Sequence, residues 1–447
     1  MAERKIPSSL DAEKAVLGSA FLSKAALQKI CDELTDEAFY SEANAKIFQT
    51  LKELNNESSA IDVTIVANRL DDKKILNEVG NIEYLSDIID SVPSASNVDY
   101  YINIIKEKMI GRKIIETATE IANDAYAPAD SIYEVLDTAE MKMLRIGNLR
   151  KVTEFQKIQD VVYREQANLE KLAEQGSEIT GLTTGFTDFD KLTAGLQPNQ
   201  FIIIAARPAM GKTAFALNIA TYAAMHSNKA VLVFNLEMSA EQLANRILQS
   251  LGQIDGFKMR TGRLEHNDWK KLNEAISKLS NANLFLDDTP GITIGEIRSK
   301  CRRLYNSENG LGLVVIDYLQ LISGSGKNAG NRQQEVSEIS RSLKTMALEL
   351  GVPVIALAQL SRAVEAREDK RPIMSDLRES GSIEQDADIV SFLFREDYYN
   401  KEKRRDDNAS ISEFIIGKNR SGPTTTIELL FKKDTSTFVN FQKENGE

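Results

Sequence analysis

Short apolar runs that alternate with helical stretches constrain the fold of the second half of the chain. The runs occupy residues 201–204, 231–234, 313–316, 354–357 and 389–394, and they are rich in β-branched residues. Because the runs are apolar on both faces and are separated by helices, they indicate a parallel sheet that helices cover on both sides. No fixed-period repeat is present, which argues against a solenoid. The expected fold of this half is an α/β domain.

The N-terminal part of the chain has a different periodicity. From Pro7 to about Tyr126, apolar residues recur at helical spacing, as at Ile47, Phe48 and Leu51. This spacing predicts an all-helical N-terminal domain. Residues 127–131 (Ala-Pro-Ala-Asp-Ser) are typical of a turn between two long helices. A short connection leaves two helices as neighbours, so we expect an antiparallel helical hairpin.

A polar helical segment separates the two parts. Residues 158–174 carry only a narrow apolar stripe, and the segment ends before Gly176 and Ser177. A helix with so narrow a stripe needs another surface on which to dock. We therefore predict a helical N-terminal domain over residues 1–150, a linker with a docking helix over 151–180, and an α/β domain over 181–447. A chain of 447 residues is too long for one ordinary core, which agrees with this division.

Composition limits the classes of partner. The net charge of −11 and the pI near 5.1 argue against a protein that coats nucleic acid through bulk electrostatics. Any DNA contact must therefore be local, as in an enclosed channel. The N-terminus lacks an apolar segment, and no apolar stretch of about 18 residues occurs. These features predict a cytoplasmic location and no membrane association.

Cysteine, histidine and tryptophan residues give no sign of a metal site. Cys31 and Cys301 lack zinc-ligand spacing, and we predict two buried structural thiols. His226 and His266 are far apart in sequence, and Trp269 is expected to be a packing residue. None of the three is assigned a function. The basic run at residues 401–405 is interpreted as a solvated surface face.

A P-loop follows the first apolar run and precedes a helical stretch at residues 214–224. In this context backbone N–H groups and the helix N-terminus bind phosphates, Lys212 reaches the β- and γ-phosphate oxygens, and Thr213 binds Mg²⁺. The first position is alanine, where glycine is usual. The predicted cofactors are ATP and Mg²⁺, and the nucleotide-binding residues are Ala206, Arg207, Pro208, Ala209, Met210, Gly211, Lys212 and Thr213.

Polar side chains follow three of the other apolar runs. Glu237 comes shortly after the second run, Asp317 directly after the third, and Gln359 after the fourth. Residues just beyond the carboxyl ends of parallel strands face the crevice where ligands bind. We expect Asp317 to hold Mg²⁺, Glu237 to polarise the attacking water and Gln359 to sense the γ-phosphate. The alternatives are a helix cap or a solvated loop carboxylate for the two acids, and an ordinary loop residue for Gln359.

Two cations close a strand near the C-terminus. Lys418 and Arg420 end an apolar run and precede Ser-Gly-Pro at residues 421–423. Such a pair could reach a phosphate in a neighbouring subunit, as an arginine finger does. The alternative is that both side chains are simply solvated.

Together these motifs resemble the bacterial and phage replicative DNA helicases of the DnaB family over nearly the whole chain. The motor half carries the resemblance in strings at residues 206–213, 235–239, 315–321, 358–362, 376–388 and 418–423. The N-terminal half is similar at residues 7–18, 39–40, 47–48 and 93–98. The resemblance implies a RecA-like P-loop NTPase motor preceded by an all-α domain whose helical hairpin forms a dimerising collar.

The resemblance also implies roles for individual residues. Lys418 and Arg420 would act in trans, completing the site of the next subunit. Arg378, Glu379 and Gly381 lie in a segment that resembles the loop following the phosphates of single-stranded DNA in a central channel. Glu237, Gln359, Thr213 and Asp317 keep the roles given above.

As a whole, the resemblance implies a homohexamer that moves 5′ to 3′ on single-stranded DNA and unwinds forked DNA by strand exclusion. A primase and a helicase loader are the implied partners. The linker helix would dock on the adjacent subunit.

Two other functions share part of this pattern. A RecA-like recombination or repair ATPase has the P-loop and both carboxylates, but it is not expected to carry the long helical N-terminal part. An ATP-gated primosome scaffold needs neither Glu237 nor the pair Lys418 and Arg420. Ring or filament assembly distinguishes the first alternative, and ATP turnover distinguishes the second.

Overall fold

The computed structural model describes residues 5–57, 61–127, 132–149, 158–176, 178–323, 332–400 and 408–441. The chain forms two compact units, Met1–Lys157 and Ile158–Glu447. Each unit is described by itself. The predicted turn at residues 128–131 and the basic run at 401–405 lie outside the described residues.

The first unit is helical throughout its described part. Its helices are α1 Leu10–Leu22, α2 Lys24–Glu33, α3 Glu42–Asn56, α4 Val63–Asp72, α5 Asn81–Asp90, α6 Val98–Tyr126 and α7 Ile132–Leu149, with 3₁₀ turns at Asp36–Ala38 and Ala95–Asn97. Side-chain caps from Ser23, Ser41 and Asp62 fix the starts of α2, α3 and α4. The all-helical fold predicted for this part is confirmed.

The core of the first unit is built from the helical stripes seen in the sequence. Val16, Ile47, Phe48 and Leu51 are fully buried and belong to one apolar cluster. Beyond this core, Lys142 of α7 forms salt bridges of 3.1 and 2.8 Å with Glu120 and Asp124 of α6, so the two helices lie side by side.

Glu13 is a buried carboxylate inside this helical unit. It is only 2% exposed, and it accepts hydrogen bonds from the backbone N–H of Tyr40 (2.6 Å) and Ser41 (3.3 Å) and from the side chain of Asn44 (2.8 Å). Buried charges are tolerated when they are hydrogen-bonded in this way. Glu13 therefore ties α1 to the start of α3.

The second unit alternates helices and strands. Its helices are α8 Ile158–Gln175, α9 Thr187–Thr193, α10 Lys212–His226, α11 Ala240–Gly252, α12 Gly256–Thr261, α13 His266–Ser280, α14 Ile294–Tyr305, α15 Arg332–Leu350, α16 Gly381–Asp386 and α17 Glu396–Tyr399. Its strands are β1 Phe201–Ala206, β2 Ala230–Asn235, β3 Leu284–Asp287, β4 Leu311–Asp317, β5 Val354–Gln359, β6 Ile389–Arg395, β7 Ala409–Asn419, β8 Thr426–Lys432 and β9 Thr437–Asn440. The 3₁₀ turns are Leu319–Leu321, Arg362–Ala366 and Met374–Ser380.

These strands form one sheet in the order β3-β2-β4-β5-β1-β6-β7-β8-β9. The six strands from β3 to β6 in this order are parallel, as the sequence predicts. The last three are antiparallel and extend the sheet beyond β6, so the sheet is mixed and not purely parallel. Strand β3 was missed in the sequence because it is short and only partly buried.

Helices cover both faces of the sheet. Ile202 and Ile204 pack with α10 and α11, whereas Phe201 and Ile203 pack with α14 and α15. Alternate residues of the same strand thus enter different cores, which explains why the central runs are apolar on both faces. In the described part of the chain, no helix combines the length and the apolarity needed to cross a membrane.

Two sequence predictions about single residues need correction. Trp269 is 52% exposed on α13, so the prediction that it is a packing residue is wrong. Cys301 is fully buried, whereas Cys31 is only half-buried, so the prediction of two buried thiols holds for one of them. An isolated tryptophan or cysteine carries no periodicity that reports its burial.

We predict that Glu13→Ala weakens the junction between α1 and α3. The substitution leaves two backbone N–H groups and the Asn44 amide without their charged acceptor, which costs about 3 kcal/mol. Hydrogen exchange of the Tyr40 and Ser41 amides should become faster by the factor that corresponds to this loss of free energy. Glu13→Gln keeps an acceptor oxygen and should cost about 1 kcal/mol. Equal exchange in the wild-type and alanine chains would contradict this role.

Candidate active site

The loop between β1 and α10 has the backbone of a phosphate cradle. Residues 207–211 turn from the end of the strand into the helix, and Ala209 and Gly211 have positive φ values of 66° and 97°. A Cβ atom at position 211 would lie 2.9 Å from Cζ of Phe438. Glycine is therefore required at this position both by φ and by the close approach of Phe438.

A buried carboxylate lies beneath this loop. Asp317, at the end of β4, is 2% exposed, and its Oδ2 accepts hydrogen bonds from the Thr213 hydroxyl (2.6 Å) and from the Asn235 amide (3.2 Å). Its Oδ1 lies 3.4 Å from Nζ of Lys212 and has no hydrogen-bond partner among the described residues. The structure thus brings the adjacent residues Lys212 and Thr213 together with Asp317, which lies 105 positions after Lys212 in the sequence.

Lys212 is held in an electrostatically unusual setting. Burial lowers its pKa below the usual lysine value, and the carboxylates of Asp317 and Glu237 oppose that shift. Its ammonium also lies 4.6 Å from the centre of the Tyr318 ring. A partly desolvated cation of this kind interacts strongly with an incoming anion, because the local dielectric constant is low.

The donor set fits a divalent cation that is shared with a nucleotide. Asp317 offers a buried oxygen that accepts no hydrogen bond among the described residues, and Thr213 offers a hydroxyl that donates to its other oxygen. Among the described residues there is no cluster of three or more potential metal ligands. Mg²⁺ typically takes one or two protein oxygens and completes its shell with phosphate oxygens and water, so these two residues suffice.

Glu237 and Gln359 lie at the same carboxyl edge of the sheet. Asn235 pairs with Asp317 across β2 and β4, and Gln359 pairs with Ala206 across β5 and β1. Glu237 is exposed, and its carboxylate accepts no hydrogen bond from the described residues. A free carboxylate next to a phosphate cradle is available to orient water.

Asn235 shapes the turn that carries Glu237. Its Oδ1 accepts hydrogen bonds from the backbone N–H groups of Glu237 (3.0 Å) and Met238 (2.7 Å), while its amide donates to Asp317. Asn235 therefore connects the two carboxylates of the site. The sequence analysis missed this role, although an asparagine at the end of a buried strand was a usable signal.

Residues of the loop differ in what they offer a ligand. The guanidinium of Arg207 donates to the Leu360 carbonyl (2.8 Å) and to Glu365 (2.9 and 2.8 Å), so it points toward the segment after β5. Ala206 and Met210 are buried. These residues and Pro208 can therefore contribute backbone groups, whereas Lys212 and Thr213 contribute side chains.

Arg395, the last residue of β6, supports the loop, and the sequence analysis missed it. This arginine is 7% exposed, donates to the Ala209 carbonyl at 3.3 Å and lies 4.7 Å from the centre of the Phe431 ring. It thereby supports the backbone of Ala209 at positive φ. An arginine at the end of an otherwise apolar strand was the available signal.

Lys418 and Arg420 lie at the opposite edge of the sheet. Lys418 pairs with Val390 and Asn419 with Ile389, at the first residues of β6. The carboxyl end of β6, beside the loop, is six residues away, which is about 20 Å along a strand. Burial and the charge of Arg420 lower the pKa of Lys418. The pair is therefore remote from the phosphate cradle of its own chain.

The segment predicted to contact DNA spans the end of a 3₁₀ turn and the start of α16. Arg378 and Glu379 lie in the 3₁₀ turn Met374–Ser380, and Gly381 begins α16. Their side chains lie outside the described part of the structure. Just before them, Arg367 holds Asp376 through two hydrogen bonds of 3.0 and 2.7 Å, which fixes the start of the turn.

Comparisons with known proteins match both units. The family model of the DnaB-like helicase C terminal domain matches residues 181–440, and that of the DnaB-like helicase N terminal domain matches residues 5–107. The replicative DNA helicase DnaB of Geobacillus stearothermophilus is 50% identical over 100% of this chain and 97% of its own length. The replicative DNA helicase DnaC of Bacillus subtilis is 49% identical over 99% of this chain and 96% of its own.

A solved structure shares the fold over almost the entire chain. It is titled as a DnaB-like replicative helicase and its interactions with primase, and it has a TM-score of 0.78 and 36% sequence identity. The match covers 97% of this chain and 100% of the other. Both the helical unit and the α/β unit therefore have counterparts in that protein.

We predict unequal effects of substitutions at the two positive-φ residues of the loop. Gly211→Ala should lower the free energy of unfolding by about 2 kcal/mol, because a Cβ at positive φ is strained and meets Phe438. Ala209→Gly relieves strain at φ 66° and should change stability by less than about 1 kcal/mol. Thermal unfolding of the two full-length variants measures the difference, and equal losses would contradict the assignment.

Proposed function

Since the chain belongs to the DnaB-like helicase family and is a replicative DNA helicase, we propose that it acts as an ATP-driven homohexameric ring. The ring moves 5′ to 3′ on single-stranded DNA and unwinds forked DNA by excluding the other strand. The observation that carries this proposal is that the proposed catalytic groups lie at opposite strand ends of one sheet. The phosphate cradle lies at the carboxyl ends of the parallel strands, and two cations lie at their amino ends.

The first edge binds and activates the nucleotide. Backbone N–H groups of residues 206–213, except Pro208, which has none, would surround the phosphates. Lys212 would contact the β- and γ-phosphate oxygens, and Thr213 and Asp317 would hold Mg²⁺. When bound, the ion neutralises charge on the transferred phosphoryl group. Oδ1 of Asp317, which accepts no hydrogen bond among the described residues, and the nearby Thr213 hydroxyl support this assignment.

Glu237 and Gln359 act on the γ-phosphate side of the site. Glu237 orients and polarises the attacking water, and Asn235 holds the backbone turn that presents it. Gln359 is the last residue of β5, at the same end of the sheet, and would sense whether the γ-phosphate is present. The segment after Gln359 leads to residues 378–381, so this glutamine is suited to report nucleotide state toward DNA.

The second edge completes the site of a neighbouring subunit. Lys418 and Arg420 are separated from their own P-loop by the length of β6, which is about 20 Å. They cannot stabilise charge on a nucleotide bound to the same chain. We assign them to the nucleotide of the next subunit, where they stabilise the transition state as arginine fingers do. ATP hydrolysis then requires that the subunits assemble into a ring.

An exposed helix supplies a means of assembly. On α8, Val162 and Leu169 are 54% and 59% exposed, and on α12 and α13, Phe257 and Trp269 are 57% and 52% exposed. Apolar surfaces of this kind mark interaction sites. We propose that α8 docks on the adjacent subunit and that the surface around Trp269 receives it.

DNA enters through the ring's channel. Residues 378–381 contact the phosphates of single-stranded DNA there, with Arg378, Glu379 and Gly381 as the contacting residues. Few cations are needed in an enclosed channel, which reconciles DNA binding with the net charge of −11. Motion follows from the different affinities of the subunit interface for ATP and ADP.

Other partners follow from the helical unit. The similar solved structure is titled with its interactions with primase, and we propose that a primase also binds this chain, at its N-terminal unit. A helicase loader would deliver the ring to DNA. The cytoplasmic location stays a prediction.

The two alternative functions account for less of the chain. A recombination or repair ATPase of the RecA type leaves the match of the N-terminal unit to the DnaB-like helicase N terminal domain unexplained. An ATP-gated primosome scaffold leaves the exposed Glu237 and the pair Lys418 and Arg420 without a use.

A strand-displacement assay tests helicase activity and polarity. Forked DNA with only a 5′ loading tail should be unwound in the presence of ATP and Mg²⁺, and forked DNA with only a 3′ tail should not. Lys212→Ala removes the phosphate-binding cation and should lower ATP hydrolysis about 100-fold or more. ATP hydrolysis without displacement on either fork would favour the recombination or scaffold function.

Mixing two inactive variants tests whether Arg420 acts in trans. Glu237→Gln removes water activation, and Arg420→Ala removes the finger, so each should lose about 1,000-fold in kcat alone. In a mixed ring, an Arg420→Ala subunit keeps Glu237 and receives an intact Arg420 from its Glu237→Gln neighbour. Partial recovery of ATP hydrolysis is therefore expected on mixing. An Arg420 that acts within its own chain gives no recovery.

A further inference from the structure

Both trans-acting cations are fastened to the end of one short helix. The Lys418 ammonium donates to the Glu384 carbonyl at 2.5 Å and to the Gln385 carbonyl at 3.5 Å. The Arg420 guanidinium donates to the same Gln385 carbonyl at 2.5 Å. These carbonyls belong to the last turn of α16, where backbone acceptors lack partners within the helix and attract cations. The position of both cations therefore follows the position of α16.

Asp388 forms a second attachment for Arg420. Its Oδ1 lies 3.4 Å from the guanidinium, and its carbonyl accepts the Arg420 N–H at 3.0 Å. Its Oδ2 accepts from the N–H of Phe201 (2.8 Å) and from Lys344 (2.6 Å). Asp388 is only 8% exposed. It thus joins Arg420 to the first residue of β1, the strand that leads to the P-loop.

The other end of α16 is the segment assigned to DNA. Gly381 is the first residue of this helix of 6 residues, so its two ends are about 8 Å apart. Along its length, Ile383 is fully buried, and Asp386 accepts a hydrogen bond from Ser340 of α15 at 2.8 Å. A short helix packed in this way transmits a displacement of one end to the other as a rigid element.

We propose that α16 and Asp388 position Lys418 and Arg420. DNA bound at residues 378–381 moves α16, and α16 in turn sets how close the two cations come to the nucleotide of the neighbouring subunit. The inference rests on the proposed function, in which the cations act in trans. A misplacement of about 1 Å in a catalytic group is enough to cost about 100-fold in rate. DNA bound at residues 378–381 thereby accelerates ATP hydrolysis at the adjacent subunit. Without DNA, the two cations lie too far from the neighbouring nucleotide to stabilise the transition state.

A matched pair of double variants tests the rigidity of this link. Glu384→Gly with Gln385→Gly removes two exposed side chains and loosens the last turn of α16, because glycine has the greatest backbone freedom. Glu384→Ala with Gln385→Ala removes the same side chains and keeps the turn helical. Neither pair alters Lys418, Arg420 or residues 378–381. ATP hydrolysis by the assembled full-length chain is measured with and without single-stranded DNA, together with DNA affinity.

We expect the glycine pair to lose most of the DNA stimulation, about 10-fold in kcat, with unchanged DNA affinity and unchanged hydrolysis without DNA. The alanine pair should be stimulated like the wild type. Wild-type stimulation in the glycine pair, or equal losses in both pairs, would overturn the role of α16 and leave the helicase function standing. A wild-type chain that DNA does not stimulate would overturn the coupling through α16, whereas the strand-displacement assay decides the helicase function separately.

A second pair of variants tests Asp388 as a positioning residue. Asp388→Asn keeps an acceptor for the Phe201 N–H but removes the charge that faces Arg420, and it should lower kcat with little change in the KM for ATP. Lys344→Met removes the other ion-pair partner of Asp388 and leaves Arg420 paired, so its kcat should stay near that of the wild type. Equal kcat losses in the two variants would show a structural role only and overturn the positioning role.

Discussion

The Asp317 carboxylate, buried at the end of β4, is the contact on which the geometry of the nucleotide site depends. It receives the Thr213 hydroxyl from the P-loop helix and the Asn235 amide from the neighbouring strand, and it faces the Lys212 ammonium. Few interactions bring three separate elements to one point. Since a buried carboxylate without partners is unstable, the folded chain must deliver these groups together, and in doing so it builds a site for a nucleotide and its metal ion.

The parallel sheet imposes the second constraint. Parallel strands present all their carboxyl ends at one edge, so Glu237, Asp317 and Gln359 gather beside the P-loop even though the chain between them is long. The antiparallel strand β7 returns along β6 in the opposite direction and therefore ends at the other edge. This change of direction is what carries Lys418 and Arg420 away from their own nucleotide. This placement supports the proposal that the two cations complete the nucleotide site of a neighbouring chain.

The contacts between α16 and the two cations suggest that the two ends of the sheet respond to different ligands. In the proposed mechanism, the P-loop end of the sheet senses the γ-phosphate through Gln359. The other end follows residues 378–381 through α16, whose last carbonyls accept hydrogen bonds from Lys418 and Arg420. Asp388 connects the second edge to the start of β1 by hydrogen bonds to Phe201. In the proposed mechanism, nucleotide and DNA thus act on opposite ends of β1, which is a short physical path for coupling ATP hydrolysis to movement on DNA.

The sequence by itself determined those features that are local. Apolar runs, helical stripes and the P-loop string indicated the two kinds of fold, and the residues that follow strand ends indicated Lys212, Thr213, Asp317 and Glu237 as a group. The reason is that periodicity and strand-end position are encoded within a few neighbouring residues. The same local signals gave no account of β3, because four partly buried residues show no clear pattern.

Only the tertiary structure decided which distant groups meet. Arg207 belongs to the P-loop string but turns to Leu360 and Glu365, Asn235 connects two carboxylates, and Arg420 rests on Gln385 and Asp388. Each of these contacts depends on strand order and register, which join residues far apart in the chain. The register of paired strands depends on how both faces of the whole sheet pack. No short segment of sequence therefore specifies which distant residues meet.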